Sequence, residues 1–308
     1  MTISGAAPQA DSNRPAGRRW RRFRGALRPA LSHLVLGALA LIWLVPFYWL
    51  VITSLKPLDQ IFTRPQTWVP DPVLWSNYVE ALTDPAFPFP RLLANSLIYA
   101  VPSTIGIVLS CSIAAYGFAR MEFWGKNFLF LVTLSTMMLP GVVTLIPTYV
   151  LFRRLGLVGN YSALIIPSFF GDAFYIFLMR QFFQTLPWEL SDSARVDGAS
   201  EWRNFWQIML PLVKPAVLVV IVFQFLWTWN DFRGPLIYLD DNREFPLSMG
   251  LFAFQTQRQT LWNLMMAASL VVSLPLMVIF FLAQRQFIEG ITLTGICLLY
   301  TSDAADDD

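Results

Sequence analysis

Long runs without a single Asp, Glu, Lys or Arg divide this chain. They lie between His33 and Lys56, Arg91 and Arg120, Lys126 and Arg153, and Arg258 and Arg285. Two further apolar stretches carry one charge each: Asp172 inside roughly 163–179, and Lys214 near the start of roughly 210–230. A helix that crosses the hydrocarbon core takes about 20 mostly apolar residues. The pattern therefore predicts an all-α polytopic membrane protein with six transmembrane helices, roughly 34–54, 93–118, 128–150, 162–180, 210–230 and 262–284. Pro46, Pro102, Pro140, Pro147, Pro167, Pro215 and Pro275 fall within or beside these spans, and the Pro140–Gly141 pair is expected to kink the third. Such prolines are either ordinary membrane-helix content or the mark of a solute pathway lined by broken helices.

Composition supports the membrane reading. Of 308 residues, 56% are hydrophobic and 14% charged, and the mean hydropathy is +0.52. Soluble domains carry about 25% charged residues, so a soluble enzyme, a nucleic-acid binder and a disordered chain are poor descriptions. The net charge of +2 conceals an asymmetry. With the N-terminus inside, the cytoplasmic segments hold fourteen Lys and Arg, seven of them within residues 1–30, and the outer segments hold eight. The positive-inside rule then places both termini in the cytoplasm. Arg18, Arg19, Arg21, Arg22 and Arg24 read as a topology determinant that attracts anionic lipid. A cleaved signal peptide is the competing reading; no small-residue cleavage site follows the first apolar run. Cys111 sits in an apolar run, where a small buried hydrophobe is expected.

Several chemistries lack their residues. There is no G-x-x-x-x-G-K-[ST] loop for nucleotide phosphates, and Gly125-Lys126-Asn127 matches only its end superficially. His33 is the only histidine, which leaves no His-based metal site or proton relay. Few ionisable groups lie deep in the spans, where ion-coupled transporters usually need them. A solute moved uphill by this chain would draw its energy from another chain.

The connection between the fourth and fifth spans, residues 181–209, holds the most specific pattern. A first short helix is expected to start near Pro187, followed by a turn at Asp197-Gly198 because Gly readily adopts positive φ. A second is expected to place Trp202, Phe205, Trp206 and Met209 on one face. The pair reads either as a knob presented to a partner's groove or as an amphipathic connector resting in lipid headgroups.

The spacing here resembles the cytoplasmic loop of bacterial ABC importer permeases, E-A-A-x3-G-x9-I-x-L-P. Asp192, Ser193 and Ala194 stand at E-A-A, followed by Gly198, Ile208, Leu210 and Pro211. Asp for Glu keeps the carboxylate on a shorter arm, and Ser for Ala is a small polar change. The string Pro187-x-Glu189-Leu190-x-x-x-Ala194-x-x-Asp197-Gly198-Ala199 is similar to the sugar-type permeases. Further similarity to the G-type permease of maltose-like systems runs through Pro46-Phe47-Tyr48-Trp49, Thr53-Ser54-Leu55-Lys56-Pro57, Asn95-Ser96-Leu97, Trp229-Asn230-Asp231-Phe232 and Gln284-Arg285-x-Phe287-Ile288-x-Gly290.

The resemblance implies a type-1 ABC importer permease fold in a bacterial cytoplasmic (inner) membrane, and a transport subunit rather than an enzyme. Implied partners are a second permease, two ATPase subunits that bind ATP and Mg, and an extracytoplasmic solute-binding protein. No cofactor is expected on this chain itself. An ion-coupled secondary transporter and a non-transport membrane subunit are the alternatives. Glu189, Asp192, Ser193, Ala194, Asp197, Gly198, Ala199, Ile208, Leu210 and Pro211 form the expected ATPase-coupling loop. Trp227, Trp229, Asn230 and Asp231 are candidates for the solute pathway, since aromatic faces and hydrogen-bonding groups suit a sugar. The competing reading of these four is interfacial anchoring with helix capping.

The expected divisions are a basic cytoplasmic segment (1–30), the first span with an external connector (31–90), the transmembrane core (91–285) and a cytoplasmic C-terminal segment (286–296). Residues 297–308 look like a translated transposon-type sequencing-library adapter and are expected to be a processing artefact, with a genuine acidic tail as the alternative.

Overall fold

The computed structural model describes the backbone of residues 16–255 and 260–303, and the side chains of 31–255 and 260–284. The expectations for residues 1–30, 286–296 and 297–308 therefore fall on segments without described side chains or outside the described residues. Helices run in the order α1 (Ala16–Ser54), α2 (Ser76–Thr83), α3 (Phe89–Arg120), α4 (Lys126–Ser135), α5 (Gly141–Arg154), α6 (Ser162–Ile165) and α7 (Ala173–Thr185). They continue with α8 (Glu189–Val196), α9 (Glu201–Arg203), α10 (Leu210–Leu212), α11 (Lys214–Trp229), α12 (Arg233–Tyr238), α13 (Leu247–Gly250) and α14 (Trp262–Asp303). Among the described residues four helices are long and apolar enough to cross a membrane, or six if each of two bent pairs is one crossing.

Prolines make the bends. The third apolar run divides into α4 and α5, which meet at 102° across Leu139-Pro140. Pro140 holds an extended ψ of 131° and brings no N–H, so the expected kink is a complete break. The segment Glu201–Leu212 meets α11 at 79°, where Pro215 occupies the first turn of α11. The fourth run is also interrupted. A 3₁₀ turn, Ile166–Phe170, follows α6, and Gly171 then takes a φ of +84°. Asp172, the lone charge of that run, caps α7: its Oδ1 accepts from the backbone N–H of Phe174 at 2.9 Å and Tyr175 at 3.3 Å. This satisfies donors that a helix start leaves without partners.

α3 is the hub, packed against α7, α11 and the 3₁₀ turn. Its buried face is built from small residues, including Ala100, Ser103, Gly106, Ser112, Ala115 and Ala119. Small residues let helix backbones approach closely. Gly106 shows how closely, since a Cβ there would lie 2.8 Å from the Phe169 ring. Hydroxyls on this face turn back onto their own helix: Thr104 Oγ1 donates to the Ala100 carbonyl at 2.7 Å and Ser110 Oγ to that of Gly106 at 2.8 Å. One apolar cluster joins the Arg120 end of α3 to α7 and α11 through Tyr116, Met179, Phe183, Phe205, Met209 and Val220. A second joins the Phe89 end to α11, α13 and α14 through Leu92, Phe225, Trp229, Leu247 and Leu264.

The outer helices are apolar yet uncovered. α1 is only 6% buried across its most apolar window, and none of α4 or α5 is buried. Leu34, Trp43, Phe128, Leu131 and Ile146 are among their exposed side chains. A face of that extent is intolerable in water and natural in lipid or against another membrane helix. Beyond α1, Asn77 on α2 donates to the carbonyls of Ser54 and Lys56 at 2.9 and 3.0 Å. That contact closes the end of α1 and folds the connector back on it.

Candidate functional site

The loop between α7 and α11 begins with α8, which spans Glu189–Val196. Its C-terminus explains the spacing of alanine and glycine. The Ala199 N–H donates to the Ala194 carbonyl at 2.9 Å, and the Gly198 N–H to the Arg195 carbonyl at 3.0 Å. These two bonds form a Schellman motif, in which the residue past the cap must be left-handed. Gly198 holds that place with a φ of +78°. Ser200 then caps α9, its Oγ accepting from the Arg203 N–H at 3.3 Å. The structure divides the E-A-A positions by direction. Ala194 is buried, whereas Asp192 and Ser193 are exposed. Both departures from the motif therefore lie on the outward face. Glu189, Asp197 and Gly198 are exposed too, Ala199 is half-buried, and Val196 is 86% exposed.

The second helix of the loop is not a continuous α-helix, and this corrects the expected face. Asn204–Met209 is a π-helix between α9 and α10. Bonding from i to i+5 adds a residue to each turn, so positions seven apart no longer align. Phe205 and Met209 are buried, Trp206 is half-buried, and Trp202 stays 61% exposed. Asn204, which periodicity did not single out, turns fully inward. Ile208 and Leu210 are half-buried against the same cluster, and Pro211 is exposed in the first turn of α10.

Polar contacts tie both arms of the loop to α3. Arg195 on α8 pairs with Asp192 at 3.2 Å and with Glu201 at 2.7 Å. The bond from Arg195 holds the Glu201 carboxyl below the usual carboxylate range, and Glu201 in turn raises the Arg195 guanidinium. The Tyr116 hydroxyl donates to Glu201 Oε2 at 2.7 Å and accepts from Asn204 Nδ2 at 3.0 Å. On the approach side, Arg120 donates to the carbonyls of Phe183 at 3.0 Å and Leu186 at 2.5 Å. Its guanidinium lies 4.7 Å from the Trp188 ring centre.

The four candidate pathway residues separate. An open cleft of about 810 Å³ is lined by Tyr175, Phe223, Leu226, Trp227, Asn230, Asp231, Phe232 and Arg233. Trp227 is 72% exposed in it, and Asn230 is exposed with Nδ2 donating to the Leu226 carbonyl at 2.8 Å. Asp231 is half-buried and already engaged: Oδ2 accepts from the Tyr99 hydroxyl at 2.8 Å and Oδ1 from the Gly234 N–H at 2.9 Å. Trp229 is not part of this lining. It is 2% exposed, and its indole N–H donates to the Val272 carbonyl at 3.1 Å. The reason is helical phase: on α11, residues 227 and 229 point about 200° apart. Among the described residues no group of three or more His, Cys, Asp and Glu could hold a metal.

Comparison with known proteins agrees with this architecture. Residues 105–292 match the model of the binding-protein-dependent transport system inner membrane component family. The chain belongs to that family. The permease is 34% identical over 264 residues to "Probable ABC transporter permease protein PH1036" of Pyrococcus horikoshii, covering 85% of this chain and 96% of that one. It is 33% identical over 260 residues to the arabinooligosaccharides transport system permease AraQ of Bacillus subtilis, covering 84% and 92%. It is 32% identical over 265 residues to the sn-glycerol-3-phosphate transport system permease UgpE of Yersinia pestis, covering 84% and 94%. The fold is shared with a bacterial ABC transporter involved in import of the acidic polysaccharide alginate. The TM-score is 0.74 at 21% identity, over 84% of this chain and 96% of that one.

Family membership makes this an inner-membrane transport subunit and sets aside the ion-coupled transporter and the non-transport subunit. Sequence reasoning overlooked several residues of the permease that the fold brings to these sites. Arg120 counted only as a charge that orients a span, and Tyr116 and Tyr175 as apolar content. Arg120 carried one usable signal, a basic residue ending a long apolar run. Val196 carried none, because a single valine is indistinguishable in sequence from a core residue.

Proposed function

We propose that this permease is one of two in an ATP-driven importer of carbohydrates, with residues 188–200 seated in an ATPase cleft. ATP and Mg bind on two separate ATPase subunits, and an extracytoplasmic binding protein delivers the solute. The observation that carries this reading is the outward face of α8 and its turn. Trp188, Glu189, Leu190, Asp192, Ser193 and Val196 are exposed together on an element whose flanks on both sides are fastened to α3. Exposed apolar and acidic side chains on a rigid knob suit a groove with basic edges. The chain crosses the membrane six times, α4 with α5 forming the third crossing and α11 the fifth, and both ends lie on the cytoplasmic side. That orientation follows the Lys and Arg distribution and places α8 where an ATPase resides.

Transport follows as a population shift. ATP and the loaded binding protein must both favour an outward-facing arrangement, and each shifts the equilibrium only by its differential affinity for the two states. The solute passes the cleft at the end of α11, where Tyr175, Trp227 and Phe232 offer ring faces and Asn230 and Arg233 offer donors. Such a mixture suits sugar hydroxyls and C–H faces. Arabinooligosaccharides and sn-glycerol 3-phosphate, the cargo of the relatives named above, set the chemical range to screen.

The test is Gly198→Asp. An unpaired carboxylate sealed inside the contact costs far more than a neutral amide, so the variant is expected to insert at normal levels, to lose co-purifying ATPase and to abolish uptake. Normal uptake at normal expression would sink the assignment.

A further inference from the structure

We propose that Arg120 is a positioning residue that locks the coupling loop to α3, so that displacement of α8 travels along α3 instead of being absorbed in the loop. The proposal rests on the assignment of residues 188–200 to ATPase coupling. Arg120 is the last residue of α3 and 2% exposed. Its guanidinium spans the hinge between two helices, because α7 ends at Thr185 and α8 starts at Glu189. Nε takes the Phe183 carbonyl at 3.0 Å, one terminal nitrogen takes that of Leu186 at 2.5 Å, and the other reaches toward that of Pro187 at 3.5 Å. Trp188, the residue before α8, lies against the guanidinium face.

The chemistry fits a clamp. The last carbonyls of a helix have no partner within it, and a cation there is favoured by the helix dipole. A planar fork can serve several divergent acceptors and an aromatic face at once, whereas an ammonium on a flexible stem cannot. A buried charge persists only where hydrogen bonds compensate its lost hydration. Four residues earlier, Tyr116 fastens the other arm of the loop. Its hydroxyl meets Glu201 and Asn204, and its ring centre lies 5.8 Å from that of Phe183 and 5.2 Å from that of Phe205. The approach to α8 and the exit from it are thus both attached to the last turns of α3, while the outward face of α8 stays free. α8 cannot slide relative to α3 without breaking one set.

The opposite part of the same helix is attached to the segment after α11. Tyr99 bonds Asp231, a residue of the cleft, and Asn95 Nδ2 donates to the carbonyls of Arg243 and Phe245 at 2.7 and 3.0 Å. Arg120 and Tyr99 are separated by roughly 30 Å of helix. α3 therefore joins the loop to the cleft as one element, and Arg120 is its joint at the loop.

The experiment uses the whole importer, this chain with its partner permease and ATPases, in nanodiscs. A bimane probe on a W227C variant reports the cleft, and trapping with ATP and vanadate drives the cycle. With Arg120→Gln, ATPase still co-purifies, but the bimane response per complex falls about fivefold or more. Arg120→Lys is not expected to restore it, because charge alone does not rebuild the clamp. A purely structural role would lower yield while leaving the response per complex intact. A full response in R120Q, or full recovery in R120K, overturns the proposal. If R120Q does not assemble, Tyr116→Phe carries the test. It keeps the ring and removes the hydroxyl, so normal assembly with a reduced response is expected, and an unchanged response refutes the joint. G198D separates the two levels. ATPase retained in G198D defeats the coupling assignment and this proposal together, whereas ATPase lost in G198D with a normal response in R120Q defeats the joint alone.

Discussion

Gly198 allows backbone conformation to be separated from side-chain bulk. It is the left-handed residue of the Schellman turn that ends α8, with a φ of +78°. A Cβ placed there would meet nothing within 4 Å. Within this chain, Gly198→Ala therefore costs conformational strain and no clash. A left-handed non-glycine residue costs roughly 1–2 kcal/mol, a factor of about 5–30 in an equilibrium. That strain can be relieved only by unwinding the turn, which would release the bonds from Ala199 to Ala194 and from Gly198 to Arg195. Asn tolerates the left-handed region better than Ala although it is larger. If conformation is what glycine supplies, ATPase affinity runs Gly above Asn above Ala, with the G198A loss in the range just given. If instead the ATPase surface presses on the glycine, Asn is worse than Ala. Titration of purified ATPase onto nanodisc-embedded permease measures the order. Affinity of G198A within about twofold of the parent would refute the strain argument, and Asn below Ala would replace it with close approach.

Three further outcomes follow from the packing. Trp229→Phe leaves the Val272 carbonyl without its 3.1 Å donor and should cost about 1–3 kcal/mol, read as a lower melting temperature in detergent with unchanged cargo preference. Asn230→Ala, in the cleft lining, should do the reverse, and unchanged affinity and selectivity would remove Asn230 from the pathway. Gly106→Ala drives a methyl to 2.8 Å from the Phe169 ring, an overpacking worth about 1–3 kcal/mol; the same thermal assay should show partial recovery when Phe169→Leu is added. For topology, single cysteines at Trp124, 99% exposed, and Phe62, 69% exposed, should react with a membrane-impermeant thiol reagent from opposite sides, with residue 124 facing the cytoplasm. Labelling of both from the same side would overturn the six-crossing reading.

Residue spacing carried the turn at the end of α8 because local bonding enforces it. The Ala-x-x-x-Gly interval is the distance between the carbonyl that closes a Schellman motif and the left-handed residue that permits it, so Ala194 and Gly198 are legible without any tertiary contact. Pro140 is legible for a similar reason, since a missing N–H breaks a helix wherever it falls. The second loop helix was misread because periodicity assumes one helical pitch. The π-turn at 204–209 redirects Asn204 inward to Tyr116, a partner 88 positions away in the chain.

Hydrophobic runs alone pointed to a helical membrane protein and to where its charged connections fall. They did so because transfer into hydrocarbon is a property of each segment, nearly independent of its neighbours. The direction of each side chain within a span was not determined in that way. Trp227 and Trp229 are interchangeable by composition, yet one lines an open cleft and the other is sealed against α14. Arg120 reads as a topology charge until α7 and the turn after it bring three carbonyls to it. In an apolar helix nearly every face is hydrophobic, so only the shape and hydrogen-bonding needs of the neighbouring helices decide which residues meet.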